Sequence, residues 1–85
     1  MRMITVTIRD PMGLHARPAG LLVKEARKYA SKITLHRGEK AVEATRLMAL
    51  MGLGVKTGET LSVTVEGADE DAAAEALSRF FAENC

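Results

Sequence analysis

Hydrophobic and polar residues alternate in four short runs of this chain. In residues 3–9, isoleucine and valine alternate with threonine, which is typical of a strand with one buried face. A second run, 33–36, and a short third run around Val42 flank turn residues at 37–40, and together they predict an antiparallel hairpin. A fourth run covers 61–66. Because each run is apolar on one face only, the pattern favours an antiparallel sheet with one covered face.

Three other stretches repeat apolar residues every three or four positions, which predicts helices. They cover about Ala16 to Tyr29, Thr45 to Leu53, and the residues after Asp69. We expect Thr45 and Asp69 to cap the second and third helices. The positions expected to face inward are Ala19, Leu22, Val23, Ala26 and Ala30 in the first helix, Leu50 and Leu53 in the second, and Ala73, Ala76, Leu77, Phe80 and Phe81 in the third. The element order βαββαβα predicts an α+β fold with a four-stranded antiparallel sheet and three helices on one face.

The stretch from Gly13 to Ala19 carries the chemistry. Turn residues precede it and helical spacing begins at Ala16, so His15 falls near the helix N-cap and Pro18 in the first turn. Free amides at a helix N-terminus attract anions, and the planar guanidinium of Arg17 suits phosphate oxygens. A neutral imidazole is a nucleophile near neutral pH. We therefore expect a phosphoryl group on His15, with Ala16, Arg17 and Pro18 forming the phosphate-binding segment.

Both histidines also have a simpler interpretation, in which neither takes part in chemistry. His15 can be only a polar cap residue, in which case the chain is a non-catalytic interaction module. His36, the other histidine, falls on the outward phase of its strand and is expected to be solvated.

The second helix is too apolar for its length. Leu50 and Leu53 can point inward together, which leaves Leu47, Met48 and Met51 at least partly exposed. These three residues can be ordinary core, since methionine often fills gaps. Exposed apolar clusters usually mark interaction sites, so we favour a partner-docking surface.

Composition narrows the class of protein. The 85 residues predict one domain covering 1–85, and 47% hydrophobic with 27% charged residues is ordinary for a globular chain. A net charge of +1 gives no reason to expect nucleic acid as a partner, and no apolar run is long enough for membrane insertion. The single cysteine, Cys85, excludes an intramolecular disulfide and a cysteine metal cluster, and we expect its thiol to be exposed on a frayed tail. Neither a metal nor another cofactor is expected, and the location is expected to be the cytoplasm.

The segment from Gly13 to Ala19 resembles the active-site signature of HPr, the histidine-containing phosphocarrier family of the bacterial sugar phosphotransferase system. The resemblance runs over essentially the whole chain, including residues 24–26, 47–51, Gly58 and 66–70. It implies a four-stranded open-faced sandwich, a phosphoryl group taken from phospho-enzyme I onto His15, and its delivery to the A domains of sugar permeases. It also implies the same docking surface on the second helix. A monomer is the simplest expectation.

One position departs from the family. HPr proteins that are regulated by a kinase have a serine at the start of the second helix, and here that position is Arg46. Arginine cannot accept a phosphoryl group, so we expect the regulatory site to be missing, with Thr45 the only nearby hydroxyl. The sequence does not separate the sugar pathway from a nitrogen-related or dihydroxyacetone-kinase-type relay, which would use the same His15.

Overall fold

The computed structural model describes residues 1–85, and its elements follow the predicted order. The strands are β1 (Arg2–Thr7), β2 (Lys32–Arg37), β3 (Lys40–Glu43) and β4 (Thr60–Glu66), and the helices are α1 (Ala16–Ala26), α2 (Leu47–Gly52) and α3 (Glu70–Asn84). The predicted α+β fold with a four-stranded antiparallel sheet and three helices is confirmed.

The sheet has the strand order β1-β4-β2-β3, and all three pairings are antiparallel. Val63 on β4 lies between Ile4 on β1 and Leu35 on β2, so these three side chains share the covered face. The threonines predicted to alternate with them lie on the other face. Long-range pairing of β1 with β4 brings the chain segment that follows β1 next to the segment that precedes β4.

One hydrophobic cluster of 22 buried residues fills the space between sheet and helices. Helix α1 contributes Ala19, Leu22, Val23 and Ala26, as expected. In α3 the buried residues are Ala73, Ala74, Leu77, Phe80 and Phe81, so Ala74 takes the fully buried place that we expected for Ala76. Leu50 and Leu53 point inward, as the apolar spacing predicted.

The first helix is shorter than predicted. It ends at Ala26 rather than at Tyr29, and the expectation that Ala30 is buried is wrong, because Ala30 is exposed. The chain turns instead, and the carboxylate of Asp69 accepts hydrogen bonds from the amides of Ala30 and Ser31 and from the Ser31 hydroxyl. The prediction that the Asp69 side chain caps α3 is therefore also wrong, since Asp69 occupies the N-cap but makes no side-chain capping bond.

The second helix begins two residues later than predicted. Arg46, not Thr45, is its N-cap, and no side chain caps this helix. The prediction that Thr45 takes over as the cap is wrong. The amide of Ala44 instead continues the hairpin by donating to the carbonyl of Ile33, which holds the preceding backbone in extended form.

Cys85 is buried and is not on a frayed tail. Only 7% of the residue is exposed, and its carbonyl accepts hydrogen bonds from the amides of Arg9 and Asp10. Burial, with the nearby charge of Asp10 as a smaller cause, raises the pKa of its thiol to about 11. The prediction of an exposed thiol failed because the sequence does not show that the end of α3 packs against the loop after β1.

Candidate functional site

The loop between β1 and α1 is held in one shape by backbone contacts. Gly13 has a φ of 71°, and its amide donates to the carbonyl of Asp10. A Cβ atom at this position would lie 2.4 Å from the carbonyl oxygen of Val55, to which the amide of Leu14 donates at 3.0 Å. Only glycine fits this close approach in this conformation. The loop therefore delivers residue 15 to a fixed place.

His15 is the N-cap residue of α1, as predicted. Its backbone is extended, with φ −101° and ψ −172°, and its carbonyl accepts the first helical hydrogen bond, from the amide of Ala19. The imidazole makes no capping bond to the helix, and its side chain is one-third exposed. The ring is therefore not engaged as a cap, which removes the main support for the cap-only interpretation.

One ring nitrogen of His15 has a partner. The Nε2 atom lies 3.4 Å from Oδ1 of Asp10, and the same carboxylate oxygen accepts a hydrogen bond from the amide of Met12. This contact places a carboxylate beside Nε2, and it is an ion pair only when the ring is protonated. The other ring nitrogen, Nδ1, has no hydrogen-bond partner in the protein.

The start of α1 offers unused donors beside this ring. The amides of Ala16 and Arg17 donate to no group of the protein, and Pro18 has no amide to donate. The guanidinium of Arg17 is exposed and forms no ion pair. These three donor groups, together with the positive end of the helix dipole, form a site for an anion. No group of side chains that could hold a metal ion is present.

These groups border a shallow cavity of about 280 Å³. It is lined by Asp10, His15, Arg17, Pro18, Leu21, Glu83 and Asn84. Sequence reasoning treated Asp10 only as a turn residue, although its place five residues before His15 was a usable signal. It missed Glu83 and Asn84 because only the packing of α3 brings them here, and no local pattern shows that.

The apolar residues of α2 lie outside this cavity. Leu47, Met48 and Met51 are exposed to 39%, 78% and 39%, so the exposure expected for them is observed. Met12 and Leu21, which sequence reasoning did not select, are also exposed, and they lie in the loop before His15 and on α1. Five of the seven exposed large apolar side chains thus lie on α1, on α2 or in the loop before His15, and the other two are Met1 and Met3.

Comparison with known proteins agrees with this geometry. Residues 3–83 match the family model described as the PTS HPr component phosphorylation site. The phosphocarrier protein HPr of Lysinibacillus sphaericus is 44% identical over 77 residues, covering 91% of this chain and 88% of that protein. The chain therefore belongs to the HPr family, the phosphocarrier proteins of the phosphotransferase system.

Solved structures show the same fold. The crystal structure of HPr from Thermoanaerobacter tengcongensis superposes with a TM-score of 0.93 at 38% identity, covering 99% of this chain and 94% of that one. Crh of Bacillus subtilis has a TM-score of 0.79 at 38% identity, covering 99% and 97%, and its crystal structure is described as a dimer with a swapped domain. None of the helices in this chain is long and apolar enough to cross a membrane.

Proposed function

We propose that His15 accepts a phosphoryl group from phospho-enzyme I and passes it to the A domains of sugar permeases. The observation that carries this proposal is the imidazole of His15, which makes no capping bond and stands beside two unpaired amides and the unpaired Arg17 guanidinium. Membership of the HPr family implies partners from the phosphotransferase system and supports enzyme I as the donor.

We further propose that Nδ1 of His15 is the accepting atom. In the neutral tautomer that carries its proton on Nε2, the nitrogen that faces Asp10, the lone pair at Nδ1 attacks the phosphorus while the bond from phosphorus to the donor's nitrogen breaks. The nitrogen–phosphorus bond then forms at Nδ1, and the proton stays on Nε2. The ring carries a positive charge in this state, which the Asp10 carboxylate stabilises, and the same charge makes the ring a good leaving group in the next transfer.

The phosphoryl oxygens carry the remaining charge. Arg17 Nη and Nε donors and the amides of Ala16 and Arg17 are proposed to hold these oxygens, while Pro18 fixes the backbone of the first turn. Positioning and charge stabilisation are most of what a protein supplies to phosphoryl transfer. This site is open to solvent, so a partner completes it by covering the cavity.

We propose that Leu47, Met48 and Met51 form the surface on which successive partners dock. Their exposure on one short helix supports this, because exposed apolar clusters usually mark interaction sites. Each partner must bind, exchange the phosphoryl group and leave. A small apolar surface with charged neighbours is suited to such brief complexes.

We propose that the chain has no regulatory phosphorylation site at α2. The family's serine position is Arg46, which is the N-cap of α2 and has no hydroxyl. Thr45 precedes the helix and is not its cap. Incubation with an HPr kinase and ATP should leave the chain unlabelled, and labelling on Thr45 would contradict this proposal.

We propose that the chain acts as a monomer in the cytoplasm, where the donor system draws its phosphoryl group from phosphoenolpyruvate. β1 pairs with β4, and Arg2 forms a 2.8 Å ion pair with Asp71, so both contacts are satisfied without a second copy of the chain. Light scattering should give the mass of one chain. A stable dimer would contradict this proposal and would resemble Crh, whose crystal structure is described as a dimer with a swapped domain.

A reconstituted relay tests the proposed function. Enzyme I, labelled phosphoenolpyruvate, this chain and a permease A domain are mixed, and label on the A domain is measured with and without the chain. We expect transfer that depends on the chain. Labelling of the chain with no transfer to any sugar-specific A domain would point to the nitrogen-related or dihydroxyacetone-kinase relay, and labelling of neither would refute the proposal.

A further inference from the structure

The loop between α2 and β4 is bonded to both ends of the active-site loop. At one end, the amide of Gly58 donates to the carbonyl of Ile8 at 2.7 Å, and the amide of Ile8 donates to the carbonyl of Glu59 at 2.9 Å. At the other end, the carbonyl of Val55 accepts from the amide of Leu14, next to His15. The position of this second loop therefore sets the position of the segment that carries His15.

The side-chain hydrogen bonds of this second loop all come from Glu59. Oε1 of Glu59 accepts a hydrogen bond from the amide of Lys56 at 2.7 Å. Its Oε2 accepts two bonds from the guanidinium of Arg37, from Nη2 at 2.8 Å and from Nε at 3.2 Å. Arg37 is the last residue of β2, so the carboxylate ties the loop to the sheet.

Without this carboxylate, backbone hydrogen bonds and the packing of Val55 would hold the loop, with the turn closed by the amide of Glu59 donating to the carbonyl of Lys56 at 3.1 Å. Gly54 and Gly58 lie on either side of Lys56 with φ values of 66° and 86°, and neither has a side chain that could pack. Lys56 and Thr57 are exposed, which leaves Val55 as the only buried residue between the two glycines. The hydrogen bond from the amide of Lys56 and the ion pair with Arg37 hold the pKa of Glu59 below its usual range. The native contacts therefore favour the charged carboxylate.

We infer that Glu59 is a positioning residue for phosphoryl transfer, acting together with Arg37 and through the carbonyl of Val55 on the segment from Gly13 to His15. This inference rests on the proposed function of His15. It does not make Glu59 a catalytic residue, since its carboxylate touches neither the imidazole nor the amides of α1.

The test compares Glu59→Gln with Glu39→Gln, a matched control in the turn before β3 whose side chain is exposed and makes no ion pair or hydrogen bond. Hydrogen exchange of the Leu14 and Val63 amides is measured in both variants. We expect the Leu14 amide of Glu59→Gln to exchange about tenfold faster than in the parent, while the Val63 amide in the central strand β4 is unchanged.

The same proteins are then assayed for phosphoryl transfer from phospho-enzyme I. We expect the transfer rate of Glu59→Gln to be about tenfold lower than that of the parent. This loss is smaller than the roughly hundredfold loss in rate that a 1 Å misplacement of the reacting groups can cause. Arg37→Lys, which keeps the charge but not the paired donors, should fall between the parent and Arg37→Gln. The double variant Glu59→Gln with Arg37→Gln should be no slower than the worse single variant.

Two results would overturn the inference. If the Leu14 and Val63 amides exchange faster by the same factor, Glu59 contributes only to global stability. If Leu14 exchange or the transfer rate matches the Glu39→Gln control, the loop does not position His15. Failure of the parent chain to accept a phosphoryl group would refute the proposed function instead, and the exchange of Leu14 would still report on the loop contact.

Discussion

Replacement of Gly13 with alanine tests the geometry that places His15. The new Cβ atom would lie 2.4 Å from the carbonyl oxygen of Val55 and 3.0 Å from Cα of Lys56, both of them backbone atoms that cannot rotate away. The φ of 71° is a left-handed conformation that alanine adopts at a cost of about 1–2 kcal/mol. The clash should also break the hydrogen bond from Leu14 to Val55, and two buried groups left unpaired cost about 1–3 kcal/mol.

Gly38 supplies the matched control for this change. Its φ is 60°, but a Cβ atom there would meet nothing within 4 Å. Gly38→Ala therefore carries the left-handed strain without the clash. Because alanine also restricts the unfolded chain, which recovers about 0.4–1 kcal/mol at both positions, we expect a net loss of about 1 kcal/mol at Gly38 and about 2–4 kcal/mol at Gly13.

Thermal unfolding followed by circular dichroism separates the two variants. A loss of 1 kcal/mol lowers the Tm of a domain of this size by about 4–8 °C, so we expect a fall of roughly 5 °C for Gly38→Ala and about 10–25 °C for Gly13→Ala. Below both transitions, Gly13→Ala should also transfer phosphoryl groups more slowly than Gly38→Ala. Equal Tm values for the two variants would show that the contact between Gly13 and Val55 does not constrain the loop.

Three further predictions concern docking, pH and the thiol. Met48→Glu should raise the KM for transfer from phospho-enzyme I about tenfold or more with kcat little changed, whereas Met3→Glu, at an exposed methionine on the open face of the sheet, should not. Hydrogen bonds from Ser31 and from the amide of Ala30 hold the pKa of Asp69 below its usual range, so its contribution to stability is present above the unfolded pKa and is lost as pH falls through the lowered folded value. Asp69→Asn should accordingly lower the Tm by more at pH 7 than at pH 2, and a Tm difference that is the same at both would contradict this. Because Cys85 is buried and its thiol has a pKa of about 11, it should react with iodoacetamide at pH 8 far more slowly than a free thiol does. Unfolding the chain in urea should make the reaction fast, and fast labelling of the native chain would contradict the prediction.

The fold could be predicted from the sequence because local patterns specify it. Two strands followed from the alternation of apolar and polar residues in 3–9 and 61–66, and the first helix followed from the helical spacing after Ala16. Because each strand is apolar on one face only, the sequence also predicted that the helices cover one face of the sheet. The ends of elements were predicted less well. Helix α1 ends at Ala26, and the amide of Ala30 instead donates to Asp69, which lies 39 residues beyond Ala30. No pattern near Ala26 shows that contact.

The candidate site was predicted only in part, because some of its residues lie in one local segment and others are brought there by packing. His15 and Arg17 lie in one short segment whose turn and helix start are local features, so their placement followed from sequence. Glu83 and Asn84 line the same cavity only because α3 packs against the loop after β1, whereas Asp10 lies in that loop itself. The error at Cys85 has the same origin, since its carbonyl binds the amides of Arg9 and Asp10.

The most direct test of the central claim is the intact mass of the chain after incubation with phosphoenolpyruvate and enzyme I. The parent is compared with His15→Ala and with His36→Ala, whose ring bonds Thr64 on the sheet and lines no part of the cavity. We predict one acid-labile phosphoryl group on the parent and on His36→Ala, and none on His15→Ala. A phosphoryl group that remains on His15→Ala, or an unmodified parent beside another HPr that the same enzyme I does phosphorylate, would contradict the assignment of His15 as the carrier.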